Sequence, residues 1–256
     1  CGFPCQPNSV MNVKKSENDQ RRDPMAKALE YIRVKRPKYF VLENVVGIMH
    51  VSKGAVWRSL VDELDALDGY AWDYRILDPC KHANSPQSRP RVYLCGKRDC
   101  ATPLEWPDEV PLTRRCVDLL DERAAGGIPA APCYLKMLQT WGIDKDQPGI
   151  VEFCAASRAY SPYKKGAPIA PLAPDELPHV LKADVAPCVI KHDPGPYANH
   201  LGRYLTADEC LKLQGFEPSA VRRPQVTPLQ MRQLTGNAMH CGVLARVLAK
   251  LLDCEA

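Results

Sequence analysis

The stretch Tyr39-Phe40-Val41-Leu42-Glu43-Asn44 decides what kind of chain this is. Four apolar residues stand in a row instead of alternating with polar ones, the pattern of a strand in a parallel sheet covered on both faces. The run stops at a carboxylate. In open α/β sheets ligands lie just beyond the carboxyl ends of the strands, so Glu43 stands where acid or base chemistry is done. A solvated strand end or a salt-bridge partner is the plainer alternative for a glutamate at such a place.

Working outward from that strand, Met25, Ala28, Leu29 and Ile32 recur at helical spacing before it, and Asp23-Pro24 supplies the start signal. After it, Val56, Leu60, Leu64 and Leu67 mark a second helix that Gly69 closes. Tyr70 to Leu77 alternates as a strand, and Val92-Tyr93-Leu94-Cys95 reads as another. The order helix, strand, helix, strand, strand implies an open α/β sheet. Residues 99–200 differ in kind: they hold 14 of the 24 prolines and no sustained period. They read as a loop-rich insert or small second domain, with Trp141, Tyr134, Phe153, Tyr160 and Tyr163 available to anchor a core. From Leu201 regular signals return. Thr206 followed three residues later by Glu209 is a capping box leading into Leu211 and Leu213 and stopping at Gly215. Thr227-Pro228 opens a further helix, and Met239 to Leu252 is a last, amphipathic one. The expected division is 1–98, 99–200 and 201–256.

Composition narrows the class. With 256 residues, 45% hydrophobic and 25% charged, the chain has ordinary globular proportions. It has no apolar run long enough for a membrane span and no signal-peptide layout, so no membrane is expected as a partner. The 12 cysteines are scattered, with no Cys-x-x-Cys pair, which suits reduced thiols inside a cell: the nucleus of a eukaryote, the cytoplasm of a prokaryote. The balance of 34 basic against 30 acidic residues is too even to name a nucleic-acid partner by itself. Between Lys81 and Arg98, however, five cations (Lys81, Arg89, Arg91, Lys97, Arg98) occur with no acid, a local patch suited to phosphates.

Three further stretches are candidates for chemistry. In Cys1-Gly2-Phe3-Pro4-Cys5-Gln6-Pro7-Asn8-Ser9 the two prolines leave the loop around Cys5 few shapes, as suits a positioned thiol; simple packing is the alternative for any cysteine. The polar segment Val10 to Arg22 that follows suits a mobile lid. Gln87-Ser88-Arg89-Pro90-Arg91 puts two guanidinium groups on one side of an extended chain, able to grip an anion or to form a charged strand edge. Gly236-Asn237 could bring backbone and an amide to a ligand, and as a dipeptide is equally a turn. His192, His200 and Cys188 lack metal-site spacing and are read as structural, with no metal expected.

Taken in order, Gly2-Phe3-Pro4-Cys5-Gln6-Pro7, Glu43-Asn44-Val45, Gln87-x-Arg89-x-Arg91, Arg203-x-Leu205-Thr206-x-x-Glu209 with Leu213-Gln214-Gly215-Phe216, and Gly236-Asn237-Ala238 resemble the cytosine-5 DNA methyltransferase family. The resemblance covers roughly residues 1–98 and 201–256; the proline-rich middle corresponds by position to the family's target-recognition domain. It implies a Rossmann-like, S-adenosylmethionine-dependent sheet and double-stranded DNA as partner. Cys5 would add to carbon 6 of a flipped cytosine, Glu43 would stabilise the ring as charge develops, and Arg91 with Arg89 would hold the thiol loop and the base oxygen. Pro4, Gln6, Ser9, Arg21, Asn44 and Gln87 would bind substrate, and Gly236 and Asn237 would lie against S-adenosyl-L-methionine. The family usually carries an aromatic at the position of Asn8 and a small-Val-Pro ending where this chain has Ala238-Met239-His240.

The family's glycine-rich donor loop and first strands should precede Cys1. The resemblance therefore implies an incomplete sheet whose N-terminal half is supplied in the full-length protein or by a second chain, and implies that these residues alone neither bind the donor nor methylate. Two rival readings remain open: a transfer-RNA cytosine-5 methyltransferase, whose typical Cys-Phe-Thr tripeptide is replaced here by Phe153-Cys154-Ala155, and an inactive nucleic-acid-binding module.

Overall fold

The computed structural model describes residues 1–2, 23–99, 103–124, 127–153, 171–191, 195–223 and 225–253. They form two compact units. One comprises Cys1–Asp78, Pro90–Glu109 and Val243–Ala256; the other comprises Pro79–Arg89 and Val110–Gly242. These units cut the chain elsewhere than the sequence division does. Residues 79–89 and 201–242 group with the proline-rich middle, because their buried side chains find partners there, as described below.

The first unit is a three-stranded sheet with helices. Helix α1 (Asp23–Lys35) precedes β1 (Tyr39–Val45), and α2 (Ala55–Asp65) precedes β2 (Tyr70–Leu77) and, further on, β3 (Arg91–Arg98). The strand order is β1-β3-β2. Leu29 and Ile32 of α1, Leu60 and Leu64 of α2, and Phe40, Leu42, Val92 and Leu94 of the sheet share one core, as the helical and strand periods require.

The parallel reading of β1 needs correcting. Both neighbours within this sheet are antiparallel, β1 to β3 and β2 to β3. The continuous apolar run reported cover on both faces, which does not specify strand direction. A parallel partner does exist on the other edge of β1, where Gly2 bridges to Glu43 and the Glu43 N–H donates to the Cys1 carbonyl at 3.1 Å. The register places Phe40 opposite Gly96. A Cβ at Gly96 would lie 2.1 Å from the Phe40 ring, so only glycine lets that ring cross β3.

The second unit has short elements: the single turn α3 (Pro79–His82), α4 (Pro132–Thr140), β4 (Ile150–Val151), α5 (Leu177–Val180), β5 (Tyr197–Ala198), β6 (Arg203–Tyr204), α6 (Ala207–Leu213) and α7 (Pro228–Asn237). A small antiparallel sheet runs in the order β4-β5-β6. The last helix, α8 (Cys241–Asp253), begins here and continues in the first unit. Its start and the capped starts of α6 and α7 fall close to where the sequence signals place them.

Helix α4 contradicts the expectation of no period within residues 99–200. Tyr134, Met137, Leu138 and Trp141 sit at i, i+3, i+4 and i+7, and Pro132 stands in the first turn, where a missing N–H costs nothing. The signal is one short helix among many prolines, too brief to register as sustained. The aromatic anchors do form a core: Phe153 stacks on Tyr134 at 4.5 Å and meets Tyr197 at 5.3 Å and Tyr204 at 6.3 Å, with Trp141 in the same cluster. Tyr160 and Tyr163 lie outside the described residues. Among the described residues no helix is long and apolar enough to cross a membrane.

Candidate active site

Glu43 and Arg91 meet because of strand register. Glu43 pairs with Tyr93 and Val45 with Arg91, so Glu43 and Arg91 are diagonal neighbours on one face of the β1–β3 pair. Arg91 Nε lies 3.3 Å from Glu43 Oε1, with the two side chains 13% and 11% exposed. A carboxylate held this way is fixed in direction yet retains an edge toward solvent, the condition for a residue that meets a ligand in a nearly dry place. Asn44 faces the other side, buried in the sheet, and its Oδ1 accepts from the Val45 N–H at 2.9 Å. Asn44, expected to bind substrate, thus bonds to the backbone at the end of β1.

The five cations between Lys81 and Arg98 do not make one phosphate-binding patch. Arg89 and Lys97 are buried, and Lys97 packs over the Tyr39 ring at 5.8 Å. Lys97 is drawn inward because β3 is the central strand of its sheet, and Arg89, which precedes β3, because it bonds to buried backbone.

Arg89 departs furthest from expectation. It is 3% exposed and carries no free fork for an anion. Its Nη1 donates to the Val189 carbonyl at 2.8 Å and to Cys188 Sγ at 3.0 Å. Its Nη2 donates to the carbonyls of Gly236 at 3.0 Å and Ala238 at 2.9 Å. Gln87 is likewise interior, fully buried, with Nε2 donating to the Leu213 carbonyl at 2.8 Å, which Ser85 Oγ also reaches at 3.1 Å. Gln87 and Arg89, expected at substrate and in catalysis, are thus both engaged in internal hydrogen bonds. The two arginines do not grip one anion, because Arg89 holds backbone while Arg91 holds Glu43.

The Gly236-Asn237 turn divides its two residues between different tasks. A Cβ at Gly236 would lie 2.4 Å from the Ile190 carbonyl carbon and 2.5 Å from the Lys191 nitrogen, so the missing side chain serves close packing of α7 on the 190–191 backbone. On that side the glycine makes room for the chain itself. Asn237, at the last position of α7, is exposed. Its side chain has no hydrogen-bond partner among the described residues.

Two features went unread in the sequence. The Arg203-to-Glu209 motif, recognisable as a capping box, is also a buried ion pair: Arg203 Nη1 and Nη2 donate to Glu209 Oε2 and Oε1 at 2.8 and 2.9 Å. Glu209 accepts from the N–H groups of Thr206 and Asp121 as well, and Arg203 donates to the Asp121 carbonyl. Burial alone would raise the Glu209 pKa, but the Arg203 hydrogen bond and the backbone donors outweigh it and hold the carboxyl below its ordinary value. The second feature is Gln214, whose Nε2 donates to the carbonyls of Thr235 at 2.8 Å and Ala238 at 3.3 Å. The alternation Ser85, Gln87, Arg89 was the available signal for inward-facing polar residues; Gln214 stood in the Leu213-Gln214-Gly215-Phe216 motif, which gave no role to its side chain.

Pro4, Cys5, Gln6, Ser9 and Arg21 lie outside the described residues. Eight cysteines are described and none forms a disulfide. Burial pushes the thiols of Cys95, Cys116 and Cys210 up to about 12, which keeps them protonated and suited to packing. Among the described residues no group of three or more His, Cys, Asp or Glu is placed to hold a metal ion.

Comparison with known proteins gives the family. The family model for C-5 cytosine-specific DNA methylases matches residues 1–253, and the chain belongs to that family. The type II methyltransferase M.BsuFI of Bacillus subtilis is 35% identical over 95 residues, which is 37% of this chain and only 23% of that enzyme's length. The type II methyltransferase M.NgoBI of Neisseria gonorrhoeae is 25% identical over 247 residues, 95% of this chain and 70% of that enzyme. In three dimensions the Entamoeba histolytica methyltransferase EhMeth aligns over 100% of this chain and 77% of its own, with a TM-score of 0.60 at 20% identity, a likeness of fold. The fold is mixed α/β, as the sequence implied.

Proposed function

We propose that the full-length protein carrying this chain methylates carbon 5 of cytosine in double-stranded DNA, with S-adenosylmethionine as donor. The observation that carries the proposal is the Glu43–Arg91 pair beside the backbone that leads to Cys5. Gly2 bridges to Glu43 itself. Cys5 is three residues further along, so the chain cannot take it more than roughly 11 Å from Gly2. The thiol and the carboxylate can therefore address one small ring.

In this reading the Cys5 thiolate adds to carbon 6 of the cytosine, and the ring's electron pair moves to carbon 5, making it nucleophilic. Glu43 hydrogen-bonds the ring nitrogen and amino group and stabilises the positive charge that develops as the ring is activated. Arg91 holds Glu43 in direction. S-adenosylmethionine supplies an electrophilic methyl group. After transfer, loss of the carbon-5 proton drives elimination of the Cys5 sulfur and restores the aromatic ring. Asn237 would hold the donor from the C-terminal side. Because a base stacked in a duplex cannot be reached by the thiol, the cytosine must be flipped out, with Gln6, Ser9 and Arg21 closing around it.

The test uses the full-length protein with a DNA duplex carrying 5-fluorocytosine, and an RNA of the same sequence in parallel. Fluorine cannot leave as a proton does, so a denaturant-stable adduct with DNA is expected in the presence of donor, and Cys5→Ser should abolish it. An adduct that survives that substitution, or one that forms with RNA alone, overturns the proposal.

A further inference from the structure

Three polar residues at alternate positions, Ser85, Gln87 and Arg89, are all buried, as one face of an extended chain would be. The stretch is held extended by its pairing with residue 186: Gln87 bridges to Ala186, the Ser88 N–H donates to the Ala186 carbonyl, and the Ala186 N–H donates to the Pro86 carbonyl. Each of the three side chains reaches a carbonyl at the C-terminal end of a helix, and Arg89 reaches the Val189 carbonyl and Cys188 Sγ in addition. Ser85 and Gln87 both donate to Leu213, the last residue of α6. Arg89 donates to Gly236 and Ala238 at the end of α7.

The last carbonyls of a helix lack intrahelical partners and carry its negative partial charge. A buried guanidinium is their strongest available cap, because its planar fork can serve two acceptors in fixed geometry. Gln214 completes the cap by donating to Thr235 and Ala238. From the other side the Ile190–Lys191 backbone closes on Gly236 so tightly that no side chain fits. Asn237 is thus the exposed residue of a turn whose flanking carbonyls, at 235, 236 and 238, are all fixed by buried side chains.

We infer that Arg89 is a positioning residue, which touches neither base nor donor and acts by fixing the turn that presents Asn237 to S-adenosylmethionine. The inference rests on the reading of the protein as a donor-dependent methyltransferase. Arg89 sets how well the donor is bound, while Arg91, two residues on, serves the chemistry through Glu43.

The experiment measures S-adenosylmethionine binding to the full-length protein by titration calorimetry, alongside methyl transfer at saturating donor. Arg89→Lys keeps the charge but lacks the fork. It should raise the donor Kd by about tenfold, the equivalent of one charge-assisted hydrogen bond, and leave kcat nearly unchanged. Arg91→Lys should do the reverse. Asn237→Ala should raise Kd by a similar factor, and the double variant Arg89→Lys/Asn237→Ala should be no worse than Asn237→Ala, since Arg89 acts through that amide. A purely structural role would lower melting temperature without producing that coupling. If Arg89→Lys does not fold, Gln214→Met, which removes a weaker part of the same cap, should raise Kd about threefold and again add nothing to Asn237→Ala. Independent, additive losses, or a loss of kcat with unchanged donor affinity, overturn the inference, and so does a wild-type protein that takes up no donor. A wild-type protein that binds donor and shows the coupling yet transfers no methyl group to cytosine overturns the proposed function and leaves the positioning role standing.

Discussion

The sheet of the first unit and the capped helices of the second use their charged residues in opposite ways. On the β1–β3 pair, Glu43 and Arg91 join side chain to side chain across two strands, and Arg91 Nη1 also donates to the Pro90 carbonyl at 2.9 Å. In the second unit Arg89, Arg203 and Glu209 are buried, and each binds backbone: Arg89 at the end of α7, Arg203 and Glu209 at the start of α6 and at Asp121. A charge that has spent its hydrogen bonds on its own backbone fixes shape. One paired with a side chain on the neighbouring strand ties two strands together.

The largest effect expected from this contrast is on stability. Arg203→Met should leave Glu209 charged, 1% exposed and without its counterion. Breaking a buried pair from one side typically costs about 3–5 kcal/mol, so the denaturant midpoint should fall sharply. A shift of less than about 1 kcal/mol would place this pair with surface ion pairs instead.

The next effect is on rate. Glu43→Gln keeps size and hydrogen-bonding capacity but removes the charge, and should lower the chemical step by about 10²–10³ with DNA affinity nearly unchanged. A matching loss of DNA affinity would mean that the sheet pair is structural, like those of the second unit, and the contrast would disappear.

The smallest is a pH effect from His240. Burial, and the charge of Arg89 second to it, lower its pKa to about 4 from 6.5, so the folded protein keeps this imidazole neutral. The unfolded chain binds the proton first. The stabilisation is therefore full above about pH 6.5 and declines as pH falls toward about 4. In urea unfolding followed across that window, His240→Gln should flatten the decline. An unchanged slope would show that the burial of His240 beside Arg89 does not govern it.

Much of the first unit was legible because its elements are long enough to show their periods. Leu60 and Leu64 announced α2, and Tyr70 to Leu77 was bounded as the structure has it. Strand direction was not legible, since a run such as Tyr39 to Leu42 reports burial and says nothing of which neighbour it pairs with. In the second unit only the capped helices could be read, because a capping box is a signal confined to four residues: Thr206 with Glu209, and Thr227 with Gln230. Helix α4 was obscured by the prolines around it.

The sequence by itself determined the family and the mixed α/β class, because these rest on residue identity and order, and it marked Glu43 after its apolar run, Arg91 at the start of a strand and Asn237 just before the last helix as candidates. Only the tertiary structure decided what each polar residue faces. Arg89 and Arg91 are indistinguishable in Gln-x-Arg-x-Arg, yet one is bound to the carbonyls of residues 189, 236 and 238 and the other to Glu43. The acceptors of Arg89 lie 100 to 149 residues away along the chain, and no local pattern can encode a partner at that distance.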